Sequence, residues 1–201
     1  TKRILEAQEG DAGFDHDTWK ALSELGLNSV LVDEDFGGTN LGSVAMGGLC
    51  EVLGMHLIPS PFFAHAVLAC DLLNRSSAGD LKAAHLPAWA LGETLATVAL
   101  CEPGGAWNLE RVGGKLRSDG DLLRLDGCWG QVPHGAQADQ VIVAARDAEA
   151  SLFLLLLERS ELGRFFTGIG LHMSEDHLEQ IYLQLELDRC GRVDLFELLG
   201  Y

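Results

Sequence analysis

The sequence predicts an α+β protein, with an all-α N-terminal helical domain (1–92) followed by an antiparallel β-barrel-like domain (93–201). Three observations carry that expectation. Apolar residues recur at helical spacing through the first half; beyond Gly92 they gather into short strand-like runs; and Gln180 to Leu187 alternates with period two. Helices first and strands afterwards is a segregated order, unlike the alternation of βαβ units.

The helices come in sequence. With Asp15 or Asp17 as N-cap, Trp19, Leu22 and Leu25 recur at spacing three, and Gly26 stands where a left-handed C-cap belongs. Ser29 to Asp35 (S-V-L-V-D-E-D) reads as a brief extended segment that ends in F-G-G-T-N, a run suited to a loop because adjacent glycines are costly inside a helix. A second helix is expected from about Leu41 to Leu53, with Leu41, Ala45, Leu49, Val52 and Leu53 on one face and Gly47-Gly48 weakening it. After Pro59 and Pro61, a third helix from Phe63 to Leu73 is nearly apolar all round and is expected to be central. A short fourth begins after Gly79, is capped by Asp80, and runs through Leu81 and Ala84 until Pro87 ends or restarts it.

The strands follow. Thr94 to Leu100 is β-compatible and closes on E-P-G-G, while Lys115 to Ser118 joins Leu122 to Leu125 across a turn at Asp119-Gly120. Val141 to Ala145 and Ser151 to Leu157 are continuous apolar runs, as strands buried on both faces should be. In Gln180 to Leu187, Ile181, Leu183, Leu185 and Leu187 take the face opposite Gln180, Tyr182, Gln184 and Glu186.

Composition narrows the function. A formal charge of -16 over 201 residues argues against nucleic acid, since phosphate-backbone binders cluster Lys and Arg; here 14 scattered basic residues leave room for a local anionic-ligand site but form no patch in sequence. The apolar runs at Val67 to Leu73 and Leu152 to Leu157 are far short of the roughly 20 residues of a membrane span. No secretory leader opens the chain, and residue 1 is Thr. Five cysteines, odd in number and without C-x-x-C spacing, read as reduced thiols of a cytoplasmic protein. Of these, Cys50 and Cys70 fall on apolar helical faces.

The order of a helix, V-L-V-D-E-D-F-G-G-T, a helix with E-V-L-G, P-S-P-F, a buried helix, L-P-A-W-A-L-G-E and a strand ending in C-E-P-G-G resembles the acyl-CoA dehydrogenase family over nearly the whole chain. The family's middle-domain signature T-E-P-x-x-G-S-D is matched by Cys101-Glu102-Pro103-Gly104-Gly105-Ala106-Trp107-Asn108. Its hairpin and A-D elements are matched by Leu125-Asp126-Gly127-Cys128-Trp129, Ala138-Asp139 and Val143-Ala144-Ala145-Arg146.

The resemblance implies a flavoprotein that removes two hydrogens from an acyl-CoA thioester, the α-proton going to a carboxylate base and the β-hydrogen leaving as hydride to FAD. Carried over by position, the flavin-facing candidates are Leu100, Cys101, Gly105, Trp107, Gln131, Val132 and Pro133. A flavin needs a flat apolar wall and donors aimed where negative charge develops on reduction. The family's catalytic glutamate usually lies in a C-terminal helical domain, which is expected to be absent here, so no catalytic residue is nominated.

Departures from the pattern matter. Cys101, a weak donor, replaces the usual Thr, and Trp107 replaces Ser, which leaves backbone amides to supply much of the flavin binding. An E-P-G-G-x-W variant resembles a divergent branch in which paired, non-identical subunits share the work and handle bulky esters such as sterol side chains. The expected partners are thus an acyl-CoA thioester and a homo- or hetero-oligomer with another such chain. The alternatives are a non-catalytic subunit of a heteromer and a structural module without flavin.

Other features favour bland readings. Trp129 is expected to be a packing aromatic, Asp33-Glu34-Asp35 a solvated loop or helix-start cap, and Cys101 an inert strand residue. His172 and His177 around Ser174-Glu175-Asp176 read as a surface loop, and no metal site is expected.

Overall fold

The computed structural model describes residues 13–101, 108, 111–119, 122–158, 180–188 and 192–194. The chain divides into two compact units, Thr1–Ala96 and Thr97–Tyr201.

In the first unit α1 (His16–Glu24) follows Asp15 and ends at Gly26, whose φ of 72° is the left-handed cap that the sequence signals. Trp19 and Leu22 enter the core, but Leu25 is exposed because it sits beyond the last helical turn. Ser29 to Asp35 is not extended. It lies in two 3-10 turns, Leu27–Ser29 and Glu34–Phe36, separated by a bend that buries Val30, Leu31 and Val32. Gly37 takes a left-handed φ of 81°, and Gly38 passes so close to Val32 that a Cβ there would stand 1.8 Å from the Val32 carbonyl oxygen, so each of the paired glycines has its own reason.

Helix α2 (Gly42–Met55) buries Met46 and packs Leu49, Cys50 and Leu53 against the core, an i, i+3, i+4, i+7 stripe. Leu41 and Val52, expected on that face, are exposed, whereas Ala45 does join the contact. The third helix is a π-helix, Phe63–Cys70, running into α3 (Asp71–Arg75). Pro87 does not end α4 (Gly79–Ala90). Leu86 and Trp89 on either side of it are fully buried, each worth about 1.5–3 kcal/mol, and that burial offsets the lost backbone bond.

One imidazole ties this unit together. The Ala96 amide donates to Nδ1 of His65 at 3.0 Å, so Nε2 carries the ring proton and donates to the Trp89 carbonyl at 2.9 Å. Residues five apart align in a π-helix, and Cys70 Sγ accordingly lies 3.6 Å from the same Nε2. Trp19 packs edge-on to the ring at 5.3 Å between centroids.

The second unit is a seven-stranded sheet in the order β6-β3-β2-β4-β5-β7, with β1 against β4. The strands are β1 (Ala96–Ala99), β2 (Lys115–Asp119), β3 (Leu122–Gly130), β4 (Gln140–Arg146), β5 (Leu152–Glu158), β6 (Gln180–Asp188) and β7 (Arg192–Asp194). Asp119, expected in the turn, pairs with Leu122 as the last residue of β2, and Gly120 lies outside the described residues. The α+β class holds, with one correction: the sheet is mixed, because β2 and β4 run parallel through Lys115↔Arg146. The cause is the connection after β3: a hairpin reverses the chain, and residues 131–139 return it so that β4 lies beside β2 in the same direction. The core is the apolar face where Val141, Val143 and Ala145 meet Phe153, Leu155 and Leu157.

Candidate functional site

The edge formed by the end of β1 and the end of β3 collects the candidate residues. Cys101 forms an isolated antiparallel bridge with Gly130, whose amide donates to the Cys101 carbonyl at 2.9 Å. This sets Leu100 and Cys101 beside the start of the segment 131–134. Four residues earlier, the buried hydroxyl of Thr97 donates to the Pro133 carbonyl at 2.6 Å, fixing the far end of that segment to the same strand.

Between those two anchors the chain turns sharply. Gln131 and His134 both adopt left-handed backbone conformations, with φ of 53° and 52°. The Val132 and His134 carbonyls accept from Gly135, Gln137 and Ala138, closing the turn. Val132 points into the core with Ala99, Gln131 is exposed and Pro133 half-buried. Leu100 and Pro133 are both half-buried, and Gln131 leaves one exposed carboxamide that can both donate and accept.

Burial shapes the protonation of this edge. Desolvation lowers His134 from its ordinary range and so favours the neutral imidazole. It raises the Cys101 thiol, so that group is held as a thiol and offers no nucleophile.

Of the seven nominated residues, Leu100, Cys101, Gln131, Val132 and Pro133 are thus brought together, while Gly105 and Trp107 lie outside the described residues. The His172 and His177 segment lies outside them too. Trp129 is fully buried and donates Nε1–H to the Ala144 carbonyl at 2.9 Å, a packing role. Thr97 was missed by sequence reasoning; the signal for it is that Thr97, Ala99 and Cys101 share one side of a period-two run. Among the described residues, no helix is long and apolar enough to cross a membrane, and no group of His, Cys, Asp and Glu is placed to hold a metal.

Comparison with known proteins places these features among related folds. Residues 1–93 match the family model described as "Acyl-CoA dehydrogenase, N-terminal domain". The acyl-CoA dehydrogenase FadE27 of Mycobacterium tuberculosis is 29% identical over 143 residues, which cover 71% of this chain and 37% of that protein. Among solved structures, the ChsE4-ChsE5 complex from Mycobacterium tuberculosis superposes with a TM-score of 0.79 at 22% identity, covering 98% of this chain and 52% of that one. A glutaryl-CoA dehydrogenase from Mycobacterium smegmatis in complex with FADH2 gives 0.75 at 19% identity, covering 93% and 50%. At those identities the structures share the fold, and the chain spans about half the length of the solved relatives and less of FadE27.

Proposed function

We propose that the chain is a member of the acyl-CoA dehydrogenase family and a flavoprotein serving the α,β-dehydrogenation of an acyl-CoA thioester, a reading supported by the match of residues 1–93 to that family's N-terminal domain and by the likeness to FadE27. FAD, when bound, supplies the acceptor for the hydride that leaves the β-carbon. The observation that carries the reading is the double anchoring of the segment 131–134 to β1, through the Cys101–Gly130 bridge and the Thr97–Pro133 hydrogen bond.

In this proposal Leu100 and Pro133 back the flavin ring, and the Gln131 carboxamide and backbone amides of the turn supply donors. Val132 sets the wall's position from beneath, since it is buried, and Cys101 stands where a hydroxyl donor to the ring is replaced by a thiol. Gly105 and Trp107 join the set by resemblance alone. The neutral His134 leaves the edge without an added positive charge at neutral pH. No residue of this chain is assigned as the base that takes the α-proton; in this proposal a carboxylate from a further segment or from a partner chain takes that role.

Titration of the purified protein with FAD, read by flavin fluorescence and calorimetry, tests the reading. Saturable binding that Gln131→Ala weakens supports it; a folded protein that takes up no FAD overturns it.

A second reading is favoured by the ChsE4-ChsE5 likeness, a structure of two different chains. In it, this chain is a non-catalytic subunit that shapes the acyl pocket of a heteromer. Co-purification with a second dehydrogenase chain that carries the base distinguishes it from the first.

A further inference from the structure

The segment 131–134 is held in a conformation that its own residues resist. Gln131 and His134 carry full side chains, yet both are left-handed, with φ of 53° and 52°. A Cβ in that region crowds the following carbonyl, so such residues persist only where their surroundings over-determine them. Pro133 stands between the two, with its φ restricted by the ring and no amide to give.

The ties that hold this turn differ in kind. At its entry the Gly130 amide donates to the Cys101 carbonyl at 2.9 Å, and at its exit the Gly135, Gln137 and Ala138 amides donate to the Val132 and His134 carbonyls. Both of these are backbone to backbone. At Pro133 the strand pairing begun at Cys101↔Gly130 cannot continue, because proline brings no N–H to a ladder. There the tie is a side chain: Oγ1 of Thr97 donates to the Pro133 carbonyl at 2.6 Å.

Thr97 is suited to that task. The antiparallel register of Cys101 and Gly130, carried four residues back along β1, sets Thr97 level with His134 and next to the carbonyl that it meets. Thr97 has no exposed surface, and its branched Cβ restricts χ1, so little rotamer freedom is lost in making the bond. Packing alone does not call for a hydroxyl here, since Ala96, Val98 and Ala99 beside it are apolar and as deeply buried. A buried hydroxyl costs desolvation unless a partner uses it, and the partner is the middle of the turn.

We propose that Thr97 is a positioning residue: by fixing the Pro133 carbonyl it keeps Gln131 left-handed and so aims the exposed carboxamide at the isoalloxazine ring. The aim rests on the flavin reading, whereas the hold on the turn is a property of the chain without FAD. Thr97 acts through residues 131–134 and touches no part of the ring.

Two substitutions in the whole chain separate the donor from the shape. Thr97→Val keeps the branched shape and removes the donor, and Thr97→Ser keeps the donor. Without FAD, amide hydrogen exchange at Gly135, Gln137 and Ala138 is expected to be roughly threefold to tenfold faster in Thr97→Val and near wild type in Thr97→Ser, with the amides of β4 and β5 unchanged in both. FAD titration is expected to show roughly threefold to tenfold weaker binding in Thr97→Val and recovery in Thr97→Ser. Thr18→Val, which removes a hydroxyl on α1, is expected to leave binding unchanged. In a Gln131→Ala background Thr97→Val is expected to change the affinity less than about twofold, because the carboxamide that it aims is gone.

Unchanged exchange at the turn in Thr97→Val overturns the proposal. So does a loss of affinity that Thr97→Ser shares in full, or one that Gln131→Ala leaves undiminished. A wild-type protein that takes up no FAD overturns the flavin reading instead; exchange that speeds in Thr97→Val and recovers in Thr97→Ser then upholds the positioning of the turn by Thr97.

Discussion

The Trp129 indole lies against Gly114 so closely that a Cβ on that glycine would stand 2.4 Å from Cζ2 of the ring. A Cβ on Gly127 would meet Cη2 of the same ring at 2.5 Å, so two glycines, from either side of the β2–β3 hairpin, make room for one indole. Gly114→Ala is therefore expected to destabilise the sheet by about 1–3 kcal/mol through overpacking. Combining it with Trp129→Phe should cost less than the sum of the single changes, because the smaller ring vacates the contested space. Urea denaturation of the four proteins measures the coupling, and strict additivity would contradict the packing account.

His65 joins the π-helix to the carbonyl of Trp89 and the amide of Ala96 with no exposed surface. Replacing it with Phe keeps bulk but leaves both backbone groups without the ring as partner. A loss of about 2–5 kcal/mol is expected, and a thermal midpoint within error of wild type would refute it.

His134 makes stability depend on pH. Its folded-state pKa is depressed by burial, so below about pH 6.5 the unfolded chain takes up a proton that the folded chain resists. The contribution is fully present above that pH and is lost as pH falls through the folded pKa. His134→Gln should flatten the decline in denaturation free energy between about pH 8 and about pH 5; parallel curves for variant and wild type would count against the assignment.

Cys101→Thr bears on the flavin proposal. A hydroxyl is a stronger donor than a thiol at this bridged position, and one added hydrogen bond is worth roughly threefold to tenfold in affinity. FAD titration should show tighter binding, and equal or weaker binding in a folded variant would mean that residue 101 does not face the ring.

Much of the fold is legible locally. The Gly26 cap, the stripe on α2 and the apolar runs of β4 and β5 each express a periodicity within a dozen residues, and all appear as helices or strands near the expected bounds. Other expectations failed where distant burial outweighed local preference. Ser29 to Asp35 looks extended by composition yet bends into the core, and Pro87 stays inside a helix that Leu86 and Trp89 hold down. The candidate edge was legible only as a list of positions carried over by resemblance.

By itself the sequence determined the order of the elements, the helical half followed by the strand half, because spacing of apolar residues and short motifs are properties of neighbours along the chain. Tertiary structure alone decided that β2 lies parallel to β4, with Lys115 opposite Arg146, and that Thr97 grips Pro133. Those pairings join residues about 30 or more positions apart, and their register is set by which buried faces fit together, a constraint that no local window contains.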